Sequence, residues 1–100
     1  MSKLIEETIK KITTHKGIEG IILSDAEGVP IKNHIISEDD KIYAISTAVS
    51  ALVKKYKPLI SELVGEDLKL IRIKTKVNEL MVVPEDDFLL IVIQNPLGSN

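Results

Sequence analysis

The sequence contains no cysteine, which removes disulfide staples and thiolate metal sites together and fits a reducing compartment. Its basic residues are not clustered either. Lys and Arg number 13 against 15 Asp and Glu, for a formal net charge of −2 and a pI near 5.7. That balance gives no electrostatic reason to expect nucleic acid or an anionic membrane as a partner. No segment approaches the roughly 20 consecutive apolar residues of a membrane span. Ser2 and Lys3 lead at once into an amphipathic pattern without the apolar core of a signal peptide. Internal repeats and low-complexity segments are absent. A cytoplasmic protein without membrane insertion is expected.

What is present is a dense apolar content, 44% of 100 residues. This suits one compact domain with one core, expected over residues 1–96 with a frayed, disordered tail over 97–100. The most informative stretch is Phe88 to Ile93, six apolar residues in a row. Side chains alternate between the faces of a strand, so an uninterrupted run needs cover above and below the sheet. Only two stretches read as helix, the first of them short. A sheet with too little helix to cover it needs partners.

The order of elements follows from periodicity and turn signals. Leu4, Ile5, Ile9 and Ile12 share one helical face, with Ser2 as the expected N-cap. Ile18 to Ser24 and Val29 to Ile35 form a hairpin around Asp25, Ala26, Glu27 and Gly28. Pro30 cannot donate to a ladder, which places the second strand at a sheet edge. Ser37 begins a longer helix, with Asp40 three residues on in a near capping box. Ile42, Ile45, Val49, Leu52, Val53 and Tyr56 should face the sheet. Pro58 should kink the helix or end it near Lys57. Three strands follow, Leu68 to Thr75, Glu79 to Val83 and Asp87 to Gln94, joined as a meander. The predicted class is α+β: helix, two strands, helix, three strands, with one five-stranded antiparallel sheet between helices.

Catalytic chemistry finds little support. His15 and His34 lie in or beside predicted loops with no shared metal spacing and read as solvated. Asp39 with Asp40, and Glu85 with Asp86 and Asp87, sit where caps and turns use acids structurally. Gly17 and Gly20 precede a strand, whereas a phosphate loop follows a strand and opens a helix. No catalytic residue, cofactor or metal is therefore assigned.

Interaction chemistry has more behind it. Ala44, Ala48 and Ala51 fall at i, i+4 and i+7, flanked by Thr47 and Ser50, and form a narrow stripe that another helix could approach closely. The same small residues could instead fit the helix onto its own sheet. Leu70, Ile71 and Ile73 make Leu68 to Thr75 a poor candidate for an unprotected edge. Pairing with its own copy would satisfy the edge by a two-fold operation, while Lys69, Arg72 and Lys74 could equally guard against pairing.

The stretches Gly17 to Lys32, Leu70 to Pro84 and Leu90 to Pro96 together closely resemble the Roadblock light chains of dynein, in the same order over most of the chain. Arg72-Ile-Lys-Thr-Lys-Val-Asn-Glu79 and Ile91-Val-Ile-Gln-Asn-Pro96 are the more specific segments. The resemblance implies a Roadblock/profilin-like fold and a homodimer whose sheets join edge to edge through the third strand. The second helices, from about Glu38 to Lys57, would pack on each other. The dimer interface would comprise Ala44, Thr47, Ala48, Ala51, Leu70, Ile71, Arg72 and Ile73. It also implies a non-catalytic, cytoskeleton-associated light chain of the microtubule motor, binding a helical segment of the dynein intermediate chain and linking cargo for intracellular transport. Pro58 departs from the family's second helix. Bacterial and archaeal Roadblock proteins that regulate small GTPases carry a third helix, for which residues 97–100 are too short. Without it, Leu80, Val82, Phe88, Leu90 and Val92 are the expected contacts for a partner's helix. Which sheet face they occupy is open, because both alternate sets of the last strand are apolar. A regulator of a small GTPase and a scaffold subunit of a signalling complex are the alternative functions.

Overall fold

The computed structural model describes residues 3–95. They form α1 (Lys3–Thr13), β1 (Ile18–Asp25), β2 (Pro30–His34), α2 (Asp39–Val64), β3 (Ile71–Lys74), β4 (Glu79–Pro84) and β5 (Phe88–Gln94). The strands make one antiparallel sheet in the order β2-β1-β5-β4-β3. The α+β architecture is the one predicted, and β2, with Pro30 at its start, is an edge.

β5 lies in the middle of the sheet and is buried on both faces, as its apolar run requires. Leu89 and Ile91 join Ile22, Ile42, Val49, Val53 and Val82 on the α2 side. Leu90 joins Ile9, Ile21 and Leu23 on the α1 side. One helix thus serves each face, and the central strands β1 and β5 are covered by the chain's own helices. α1 contributes through Ile9, which is buried, and Ile12, packed beside it. The expected Ser2 cap and the tail over 97–100 lie outside the described residues, as do the side chains of Leu4 and Ile5.

The position of α2 is set at the β1–β2 turn. Asp25 organises that turn: its Oδ1 accepts hydrogen bonds from the Glu27 and Val29 amides, each at 2.9 Å. Gly28 adopts a φ of +87°, and a Cβ there would lie 2.9 Å from the Ser46 carbonyl oxygen and 3.2 Å from the Thr47 Cα. Only glycine allows the turn and the helix backbone to come this close. Ser50 Oγ donates to the Ala26 carbonyl at 3.0 Å, and Ser46 Oγ donates to Ile42 within the helix at 2.9 Å. Both serines are buried. The small residues that seat α2 on the sheet are therefore Ser46 and Ser50, and the helix makes its closest backbone approach to β1 and β2.

Three features differ from expectation. The α2 N-cap is Glu38, without a side-chain cap bond, in place of Ser37. The helix does not end near Lys57 but runs through Pro58 to Gly65, whose left-handed backbone (φ 81°) returns its amide to the Ser61 carbonyl. Lys54 and Pro58 are both exposed, so water can satisfy the carbonyl that the missing proline amide releases. β3 covers Ile71–Lys74 only. In the β3–β4 register Ile71 faces Val82, so further pairing would meet Val83 and then Pro84, which has no amide to offer.

The two positive-φ glycines of α2's surroundings separate steric from conformational cost. Gly28→Ala should destabilise by about 2–4 kcal/mol, since strain adds to a clash with helix backbone. Gly65→Ala, which meets open space, should cost only about 1 kcal/mol for the left-handed conformation. Chemical denaturation of both variants checks the difference.

Candidate functional site

Because α2 is seated toward β1 and β2, the same face of the sheet is left short of cover at its other end. The β3–β4 and β4–β5 registers pair Ile71 with Val82, Ile73 with Leu80 and Leu80 with Ile93. These residues all project toward the α2 side. Val82 is buried, but Ile71, Ile73, Leu80 and Ile93 are only partly so. Between them and the helix lies an open hollow of about 320 Å³, lined by Ala44, Ile45, Ala48, Leu52, Ile73 and Leu80, with Val49 beneath. Every lining side chain is aliphatic. The hollow therefore has no group that could transfer a proton, attack a substrate or bind a metal. What it can do is take up apolar surface.

The opposite face at the same end is finished differently. Arg72, Glu79, Met81 and Gln94 lie on the α1 side, by the alternation of the same registers. Gln94 Nε2 donates to Glu79 Oε1 at 2.7 Å, and Arg72 Nη2 lies 3.8 Å from the same oxygen. Asn78 Nδ2 donates to Glu19 Oε1 at 2.6 Å. A polar network stands there in place of a helix. The shortage of cover is thus confined to one face and one edge.

That edge is β3, which has β4 on one side and, among the described residues, no strand on the other. Its outward backbone groups are free to pair with another chain. Arg72 and Lys74 point to the polar face, whereas Ile71 and Ile73 point to the hollow. Arg72 is engaged with Glu79 and with Met81 Sδ, so it is directed over the face and not across the edge.

Of the residues expected at a dimer interface, Ala44, Ala48 and Ile73 border the hollow, Ile71 lies on the same face of β3, and Arg72 lies on the opposite face. Ala44, Thr47, Ala48 and Ala51 are exposed on α2, on the flank away from the buried Ser46, Val49, Ser50 and Val53. Ile73 borders the same hollow, and Leu70 is 45% exposed just before β3. The alternative in which the alanines fit α2 onto its own sheet does not hold, because the serines occupy that position.

The residues expected to bind a partner's helix are not brought together. Leu80 and Val82 lie on the α2 face, and Phe88, Leu90 and Val92 lie on the α1 face. The antiparallel register sets even-numbered residues of β4 opposite odd-numbered residues of β5, an offset that the strands' own patterns do not reveal. Val82, Leu90 and Val92 are moreover 0–8% exposed. Tyr56, expected to face the sheet, is 45% exposed. α2 has no buried residue beyond Val53, so its last turns extend past the sheet with Tyr56, Leu59 and Leu63 on the surface. His34 is half-buried, not solvated, and its Nε2 is buried without a partner among the described residues. No group of side chains that could hold a metal occurs among the described residues.

The described residues form a small α+β domain with an unpaired strand edge beside an apolar hollow. The chain belongs to the Roadblock/LC7 domain family, whose model matches residues 4–95. Its fold is similar to a Roadblock/LC7 domain from Streptomyces avermitilis, with a TM-score of 0.75 and 13% identity over 86% of this chain and 73% of that one. It is also similar to the gliding protein MglB of Thermus thermophilus, with a TM-score of 0.76 and 18% identity over 94% and 75% of the two chains. A further MglB structure, described as having a tetrameric arrangement, matches with a TM-score of 0.76 and 17% identity over 97% and 76%.

The two halves of the former helix-binding set should respond differently to truncation. Val82→Ala removes wholly buried atoms and should cost about 2 kcal/mol, whereas Leu80→Ala, at the open hollow, should cost about 1 kcal/mol or less. Urea denaturation of the isolated chain at concentrations too low for association tests this.

Proposed function

We infer that this chain is a non-catalytic, homodimerising platform that regulates a small GTPase. The observation behind the dimer is the coincidence of the unpaired β3 edge with the aliphatic hollow and the exposed alanine stripe. A two-fold operation that pairs β3 with its copy brings a second α2 toward the first on the same face, since every contact occurs twice. Completing the cover of Leu52, Ile73 and Leu80 is worth about 1 kcal/mol each, or about 6 kcal/mol over both copies. Association costs on the order of 4–15 kcal/mol. Side-chain burial in the hollow therefore meets only the low end of that cost, and close packing along the alanine stripe and strand hydrogen bonds supply the rest.

The regulatory reading is supported by the kind of relative the fold resembles. Two similar structures are of MglB, a bacterial gliding protein, and the bacterial Roadblock proteins are the branch associated with small GTPases. The dynein light-chain reading, with intermediate-chain binding and cargo attachment, rests on the shared family segments and gains no comparable support. The aliphatic lining of the hollow favours a partner-binding role over catalysis under either reading.

Ala48→Glu places a charge in the hollow and on the stripe. It should weaken self-association at least about 100-fold, read as a shift to monomer in sedimentation velocity, with the far-UV circular dichroism unchanged. An undiminished dimer would remove α2 from the interface. Adding the wild-type dimer to a small GTPase from the same cell should change its rate of GTP hydrolysis or nucleotide exchange. No change, together with saturable binding of a dynein intermediate-chain peptide, would replace this reading with the motor one.

A further inference from the structure

A second cavity lies on the other side of the sheet, at the opposite edge. Lys32 and His34 pair with Leu23 and Ile21 in the β1–β2 ladder, and Leu23 and Ile21 belong to the cluster packed on α1. Both β2 side chains therefore rise toward α1. With Lys3, Glu6, Glu7 and Lys10 of the helix they line an open cleft of about 410 Å³, within the roughly 300–1,000 Å³ range of small-molecule sites. Neither of the ion pairs found among the described residues involves any of these charged side chains. His34 Nε2 adds a buried polar atom with no partner among the described residues. Three ammonium groups and an imidazole line the cleft with two carboxylates, so it has an excess of positive charge, and the unpartnered Nε2 of His34 lies buried behind its wall.

We propose that the α1–β2 cleft binds a small phosphorylated solute, with its phosphate group against Lys32 and His34. A compact anion there would take charge-assisted hydrogen bonds from the Lys32 ammonium and the imidazole, and Lys3 and Lys10 would approach from the helix. Glu6 and Glu7 stand against an extended anionic partner such as a membrane surface or nucleic acid, because such a partner could not avoid them. A solute the size of the cleft can place its phosphate toward β2 and its uncharged portion beside Ile9 and Thr13, which also line it. The cleft is separate from the α2 hollow, so a ligand there leaves the β3 edge free.

Inorganic phosphate, titrated at constant ionic strength and followed by nitrogen–proton spectra of the full chain, tests this directly. Saturable shifts are expected in the amides of 31–34 and in the His34 imidazole. Lys32→Gln and His34→Gln should each weaken binding at least about 5-fold. Lys41→Gln, on α2, should leave it unchanged. Lys32 is exposed, so its variant keeps the fold even if the histidine variant does not. Shifts that rise linearly without saturating, or that are the same in Lys32→Gln and Lys41→Gln, would overturn the proposal. So would sedimentation with phosphatidylcholine vesicles containing phosphatidic acid in the absence of a saturable phosphate response, which would assign the cleft to lipid headgroups.

Discussion

The contact between Gly28 and the backbone of α2 at Ser46 and Thr47 governs where the sheet is covered. A helix of 26 residues has length to spare over strands of four to eight, so its lateral position matters more than its extent. The glycine turn, the buried serines and the Ser50 bond to the Ala26 carbonyl hold α2 against the β1–β2 hairpin. With the helix held there, Ile73 and Leu80 at the far end of the same face are only partly covered from within the chain. The open apolar surface is thus a consequence of how the core is assembled, not a separate feature added to it.

The two faces at this end of the sheet are finished by different chemistry. On the α1 side, Arg72 of β3, Glu79 of β4 and Gln94 of β5 meet at the Glu79 carboxylate and tolerate water. On the α2 side the same strands carry Ile71, Ile73 and Leu80, which do not. Period-two alternation along β3 is enough to produce both outcomes from four residues. The other edge, β2, begins with Pro30 and carries Lys32 toward α1, features that discourage strand addition. The molecule has two edges, and apolar alternation beside an aliphatic hollow marks β3 as the one suited to pairing.

Much of the fold was legible because strong local signals agreed. The apolar run in β5, the Asp25–Gly28 turn, the edge proline and the helical period of α2 each determine an element without reference to the others. The exposed alanine stripe was legible for the same reason, since Ala44, Ala48 and Ala51 share a face that large side chains do not. What failed depended on relations between elements. The β4–β5 register decides whether Leu80 and Leu90 share a face, and neither strand's pattern contains it. Pro58 is a strong local breaker, yet it falls where α2 has already left the sheet and its exposed backbone can be hydrated. The α1–β2 cleft was invisible for a related reason: His34 and Lys32 acquire their significance only when α1 is laid across the face they share.

The overshoot of α2 adds one more constraint on how two copies can meet. The spacing Ile45, Val49, Leu52, Tyr56, Leu59, Leu63 alternates steps of four and three, the seam of helices that pack at a small angle. Its first half lies over the sheet, and its second half carries Tyr56, Leu59 and Leu63 into solvent. If β3 pairs antiparallel with its copy, the two α2 helices also run antiparallel, and the exposed apolar side chains beyond Pro58 become surface available to that pairing. A helix ending at Lys57 would have left the two domains joined at the strand edge and the alanine stripe alone. In the proposed dimer, its continuation to Gly65 makes the length of α2, and not only its small residues, part of the associating surface.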